Sequence, residues 1–259
     1  MLDLDGVLWR GDRPIAGAAD AVRRLRAAGE RVAFVTNNAR PTHAEMAAKL
    51  AAHDIEAGDD LITSPMAAAA LVFPRERVLV LGGAGAAEAV AERGAVAIDP
   101  AALVPTDAAG AVDVVLVGLH VDFDYHRLAV AAAAVHGGAR LVATNDDSSY
   151  PADGVLLPGA GAIVAAVERA TGVRAVVAGK PHDPMVRLVR GRLGEDGIVV
   201  GDRADTDGAF AVALGWTFGL VLSGVTGAAD LPTDPPADVT AADLGALVEV
   251  VLGRREAGI

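Results

Sequence analysis

Short runs of aliphatic and β-branched residues alternate along the chain with longer segments whose apolar positions recur every three or four residues. The apolar runs predict strands at 2–4, 31–36, 61–63, 78–81, 96–98, 114–117, 141–144, 175–178, 198–201 and 218–222. The helical period covers 16–28, 42–53, 65–72, 84–93, 125–136, 160–170, 184–193, 207–214 and 241–252. Local chemistry sets several ends. Gly29 closes the first helix, Thr42 with Glu45 makes a capping box, and Pro65 stands in a first turn, where its missing N–H leaves no bond unmade. Strands and helices that alternate almost from start to finish mark an α/β fold with a mostly parallel sheet. The strands are too many for one small sheet, so the pattern predicts two units. The proline-rich segment 231–236 reads as a surface loop before the last helix, because too little chain follows it to make a domain.

Composition narrows the function classes. Apolar residues make up 53% of the 259 and charged residues 22%, which excludes a disordered chain and suits a packed core. The 22 Lys and Arg against 34 Asp and Glu give a formal net charge of −12, which argues against a broad nucleic-acid or anionic-membrane surface. Cysteine is absent, so any nucleophile is an oxygen or a nitrogen and no metal site uses thiolate. The first apolar stretch is broken by Asp3 and Asp5, unlike a secretory leader, and the expected location is the cytoplasm. The uncharged stretch 208–229 is long enough for a membrane span, but its five glycines and the run 218–222 predict a short helix, a turn and a buried strand.

In α/β sheets ligands lie beyond the carboxyl ends of the strands. Four predicted strands end in polar residues: Asp3-Leu4-Asp5-Gly6, Thr36-Asn37-Asn38, Gly179-Lys180-Pro181, and Gly201-Asp202 with Asp207. Carboxylates, a hydroxyl, amides and one lysine form an inventory for phosphoryl transfer. Asp3 and Asp202 placed together would repel unless a cation lay between them, and hard oxygen ligands favour Mg²⁺. Lys180 and Thr36 suit the remaining phosphate oxygens. An aspartate is a competent nucleophile at phosphorus, and Asp5, two residues from Asp3, suits general acid and base work on the same side of the strand end. Gly6 lets backbone N–H groups turn toward the phosphate.

These residues, in this order, resemble the haloacid dehalogenase superfamily of phosphatases over nearly the whole chain. The phrases at 4–11, 35–38, 143–146, 158–161, 179–181 and 201–207 resemble its NagD and p-nitrophenyl phosphatase subgroup. The resemblance implies a Rossmann-like core with a parallel sheet, formed by 1–78 and 179–259, and an inserted α/β cap of the C2 type at 79–178. It implies that Asp3 is the nucleophile and Asp5 the general acid and base. Mg²⁺ would take Asp3, the backbone carbonyl of Asp5, and Asp202. Thr36, Asn37 and Lys180 would bind phosphate, with Gly6, Asn38 and Asp207 in support. Asn145, Asp146 and the turn at 158–161 would choose the leaving group. The implied substrate is a small phosphorylated metabolite, with a homo-oligomer formed through the cap as a further expectation.

One feature departs from the pattern. Only Met1 and Leu2 precede Asp3, where relatives have a full apolar strand, so the central strand is expected to be mostly missing, at a cost in buried area and ladder bonds. Two explanations follow, a start codon assigned too far downstream or an impaired enzyme, and the intact later motifs favour the first. A phosphotransferase or phosphomutase using the same aspartate, and a phosphate-ligand binder without turnover, are the rival functions. Gly83-Ala84-Gly85 resembles the start of a dinucleotide fingerprint, but Glu88 occupies the third glycine position, so it reads as a strand-to-helix turn. The six histidines show no metal-ligand spacing, with His182 notable for standing two residues from Lys180.

Overall fold

The computed structural model describes residues 1–152 and 155–256. Contacts divide the chain into two units, one built from Met1–Thr36, Met46–Ile62 and the chain from Val186 onward, the other from Asn37–Glu45 and Thr63–Met185. Each has its own buried core.

In the first unit Leu2 takes the middle of a parallel sheet. It bridges Phe34 of the strand Phe34–Thr36 on one side and Val200 of the strand Ile198–Gly201 on the other. Beyond Val200 the sheet continues through Thr217–Val221 and Val239–Ala241, all parallel. The central strand is as short as expected, yet its ladder is complete where it exists. Leu2 N–H donates to Ala33 O at 2.8 Å and Val35 N–H to Leu2 O at 2.9 Å. On the other edge Asp3 N–H donates to Val200 O at 2.8 Å and Val200 N–H to Met1 O at 2.9 Å. Leu2 and Leu4 are buried with Phe34, Leu50, Leu61 and Leu247. At roughly 1.5–3 kcal/mol for each large apolar side chain removed from water, this packing anchors the short segment that carries Asp3 and Asp5.

The second unit holds a five-stranded parallel sheet in the order Val176–Val177, Arg140–Ala143, Val114–Val117, Arg77–Leu81, Val96–Ile98. Every residue of Val114–Val117 is buried, as a central strand covered on both faces requires. The helices Tyr125–His136 and Ala160–Thr171 contribute Val130, Ala131, Ala134, Ile163, Val164 and Val167 to this core. The glycines at 83 and 85 have a packing role here. A Cβ on Gly83 would stand 2.6 Å from Arg40 Cα, and one on Gly85 2.0 Å from Pro41 O, so the backbone of 40–41 lies directly against the start of helix Ala84–Glu92. Gly85 N–H donates to Arg40 O at 3.0 Å and His43 N–H to the Glu88 carboxylate at 2.7 Å. The pair of glycines receives a peptide of this chain, in keeping with the strand-to-helix turn.

Several element ends differ from the pattern. The expected helix at 207–214 is preceded by a π-turn, Ala204–Gly208, and becomes α-helical only over Ala209–Leu214. The last helix runs over Leu244–Glu256 because Asp243 caps it, accepting from Ala246 N–H at 2.9 Å, and Val239–Ala241 is spent on the sheet. Two antiparallel hairpins, Trp9–Arg10 with Arg13–Pro14 and Ser149–Ala152 with Val155–Pro158, lie outside the strands predicted from the sequence. Among the described residues no helix is long and apolar enough to cross a membrane, and 208–229 holds the helix Ala209–Leu214 and the strand Thr217–Val221.

Candidate active site

Three strands of the first unit end side by side in polar residues. Asp3 follows Leu2, Thr36 ends its strand at 2% exposure, and Asp202 follows Gly201. One oxygen from each of Asp3, Asp202 and Asp207 lies within 4.8 Å of the other two. Asp202 and Asp207 are 2% and 1% exposed, and Asp3 is at 9%. The backbone around them is shaped to admit carboxylates. A Cβ on Gly6 would stand 2.3 Å from Asp202 Oδ2, and Gly6 also has φ +82°, so close approach and conformation both demand glycine. Gly224 meets the same carboxylate, its Cβ position lying 1.9 Å from Oδ2, and Val225 N–H donates to that oxygen at 2.5 Å. Gly201 makes equal room for Asp207, whose Oδ2 also accepts from Arg203 N–H at 3.2 Å. The π-turn Ala204–Gly208 brings Asp207 there, with its own N–H donated to Arg203 O at 2.8 Å.

Three carboxylates gathered in a largely dehydrated place repel one another, and a cation among them offsets that repulsion. The donor set is all hard oxygen, with no imidazole or thiolate, which suits Mg²⁺. The carboxyl of Asp5 lies outside this trio. Its Oδ1 accepts from the indole N–H of Trp9 at 2.9 Å. Asp205 also stands apart, paired with the Arg203 guanidinium at 2.7 Å, and that bond holds its carboxyl below the usual range.

In the second unit Asn37 is the centre of a polar network. Its Oδ1 accepts from Lys180 N–H at 2.8 Å, while its Nδ2 donates to Lys180 O at 3.0 Å and to the Asp147 carboxylate at 3.2 Å. Its own carbonyl accepts from Ser64 Oγ and from Asn145 Nδ2, both at 2.8 Å. The backbone of Lys180 is thereby fixed on both its polar groups by one amide. Gly179 permits the approach, since a Cβ there would stand 2.5 Å from Asn37 Oδ1. Asn145 is 4% exposed, and its remaining amide oxygen accepts from Asp147 N–H. Asp146 is exposed and takes His182 Nε2 at 3.0 Å, which lowers its carboxyl below the ordinary value. The helix Ala160–Thr171 begins against this loop, Gly159 N–H donating to Ser148 O and Gly161 N–H to Asp147 O. Asn38 is exposed and its side chain closes a turn with Arg40 N–H at 3.2 Å.

Thus Asp3, Asp202 and Asp207 are brought together in one unit, and Asn37, Asn145 and Lys180 in the other. Ser64, Asp147 and Gly224 also serve these clusters, and Trp9 holds Asp5, without having been singled out. Only Gly224, in a Ser-Gly-Val-Thr-Gly run after a buried strand, carried a readable signal.

Comparison with known proteins agrees with this chemistry. A family model described as haloacid dehalogenase-like hydrolase matches residues 1–96, and one described as HAD-hydrolase-like matches 177–247. A D-glycerol 3-phosphate phosphatase of Mycobacterium tuberculosis is 38% identical over 237 residues, covering 89% of this chain and 64% of its own length, so this chain spans just under two thirds of that relative. Human chronophin is 37% identical over 243 residues, covering 87% of this chain and 81% of its own. A crystal structure of a M. tuberculosis glycerol phosphate phosphatase in complex with magnesium superposes with a TM-score of 0.84 at 35% identity, over 95% of this chain and 75% of that one.

Proposed function

Because the chain belongs to the haloacid dehalogenase-like hydrolase family, we propose that it is a Mg²⁺-dependent phosphatase acting on small phosphate monoesters through an aspartyl-phosphate on Asp3. The observation that carries this reading is the gathering of Asp3, Asp202 and Asp207 at the end of the central strand. Asp3, Asp202 and the backbone carbonyl of Asp5, with Asp207 in support, are the residues that would hold Mg²⁺. When bound, the ion offsets the negative charge that otherwise resists attack on an anionic ester. A carboxylate oxygen of Asp3 attacks phosphorus, the bond from phosphorus to the leaving oxygen breaks, and Asp5 gives that oxygen a proton. Asp5 then takes a proton from water, the water oxygen attacks phosphorus, and the bond to Asp3 breaks to release phosphate and restore both aspartates. Thr36, Asn37 and Lys180 bind phosphate oxygens, with Gly6 and Asn38 shaping their loops. The segment 79–178 acts as the cap, with Asn145, Asp146 and the turn at 158–161 selecting the leaving group. Within it, the exposed Val155, Leu156 and Leu157 suit a homo-oligomer contact. Free phosphorylated metabolites of the cytoplasm are the expected substrates.

The test is release of inorganic phosphate from glycerol phosphate, sugar phosphates, a nucleoside monophosphate and p-nitrophenyl phosphate, with and without Mg²⁺. Release that requires Mg²⁺ and no acceptor is the expected result. Turnover only with an acceptor alcohol would make the protein a phosphotransferase, and no turnover with any ester would overturn the reading.

A further inference from the structure

The segment 4–9 folds back on itself within one short loop. Leu8 N–H donates to Leu4 O at 2.8 Å and Gly6 N–H to Trp9 O at 2.7 Å, so Trp9 returns beside Asp5 and forms a bridge with it. The Trp9 ring is fully buried, and a buried indole N–H must find an acceptor or leave its desolvation uncompensated. The acceptor here is Asp5 Oδ1, at 2.9 Å. The ring is held in turn from outside. Lys49 Nζ stands 4.7 Å from its centroid and donates to Gly11 O at 2.8 Å, and the His53 ring lies 5.4 Å away, tilted by 36°.

From this arrangement we infer that Trp9, braced by Lys49, is a positioning residue that fixes the carboxyl plane of Asp5 and assigns its two oxygens different tasks. The inference rests on the general acid role proposed for Asp5. Oδ1 faces an N–H donor and therefore accepts in either protonation state, so the proton delivered to the leaving oxygen is carried by Oδ2. In the first step the Oδ2–H bond breaks as the new O–H bond on the leaving group forms, and in the second Oδ2 regains a proton from water. Without the indole N–H, the carboxyl rotates between orientations and either oxygen can carry the proton. The cost then falls on proton delivery and spares phosphate binding.

Esters with good leaving groups need little protonation, whereas alkyl esters depend on it. The test is the ratio of kcat/KM for an alkyl phosphate to kcat/KM for p-nitrophenyl phosphate, which reads the ester-specific first step and is independent of the fraction of folded enzyme. Trp9→Phe keeps a buried ring and removes the N–H. It is expected to lower this ratio about 10-fold, a fraction of the loss caused by misplacing a catalytic group, with KM little changed. Trp216→Phe removes a comparable indole bond, to Glu195 O at 2.6 Å, and is expected to leave the ratio as it was. Should Trp9→Phe fail to fold, Lys49→Met decides. It frees the ring without deleting the N–H and is expected to lower the ratio severalfold. Equal losses on both esters in Trp9→Phe, or an unchanged ratio in Lys49→Met, overturn the inference. A wild-type protein that hydrolyses neither ester would instead overturn the proposed phosphatase activity.

Discussion

The two polar clusters solve opposite problems. In the first unit, acidic side chains are packed against one another on backbone that glycine has cleared for them: Gly6 and Gly224 for Asp202, Gly201 for Asp207. In the second, donors and acceptors are matched almost one for one, with Asn37 answering both backbone groups of Lys180 and receiving Ser64 and Asn145 in return. Like charges at close range raise the free energy of the fold, whereas a satisfied buried network lowers it and fixes geometry. The carboxylate cluster is therefore expected to matter chiefly to function, and the amide network to support function and stability together.

Single substitutions can separate these expectations. Asp3→Asn removes the proposed nucleophile and one negative charge from the trio. Turnover should fall by at least ~10³-fold, the scale seen when a nucleophile is removed, while the fold stays in place. Phosphate release and thermal unfolding measured on one preparation check both halves, and retained turnover would remove Asp3 from its role. Asn37→Ala should behave differently. It takes away the bonds to Lys180 N, Lys180 O and Asp147, for a stability loss of about 2–4 kcal/mol by urea denaturation, with a raised KM as the Lys180 turn loosens. A variant that kept full stability would mean that the network is ornamental.

The carboxylate side of this contrast was largely legible in the sequence. Asp3, Thr36 and Asp202 each end an apolar run, and in a parallel sheet such ends lie together by topology. The Thr42–Glu45 capping box likewise appears as read, with Glu45 N–H on Thr42 Oγ1 and Thr42 N–H on the Glu45 carboxylate, which holds that carboxyl below its usual range. What stayed hidden depends on contacts between distant positions. Asn37 and Lys180 are 143 residues apart, and Asn37 and Asn145 108, so no local period reports that these amides bond to backbone. The hairpin of Trp9–Arg10 with Arg13–Pro14 has two-residue strands, too short to show alternation. The π-turn at Ala204–Gly208 answers to Gly201 and Asp207 meeting at close range, a steric fact that appears only once the chain is folded.

Gly85 tests whether the second unit's order extends to its glycine cradle. A methyl group at 85 would meet Pro41 O at 2.0 Å, and that atom is backbone that cannot swing aside. Gly85→Ala is expected to cost about 1–3 kcal/mol, the range for forcing extra volume into a packed site. No nucleotide affinity should be lost, because the space is filled by Arg40 and Pro41. The reading fails if titration with a dinucleotide shows binding by the native chain that the variant lacks.

The smallest effect belongs to the exposed rim of the amide network. An ionised Asp146 can only accept, so the ring nitrogen 3.0 Å from its carboxylate, His182 Nε2, carries the hydrogen. That bond is the chief reason the carboxyl is held below its ordinary value, with partial burial opposing it. A group whose value is depressed on folding adds stability above its unfolded value of about 4 and loses it as the pH falls through the folded value. Asp146→Asn should therefore shift the urea midpoint downward slightly at pH 7, and the gap from the wild type should be smaller at pH 3, as protonation of the carboxyl sets in. Solvent screening at this half-exposed pair keeps the shift well below that of Asn37→Ala. A gap of equal size at both pH values would assign the stabilisation to the shape of the side chain and leave the charge without a part in it.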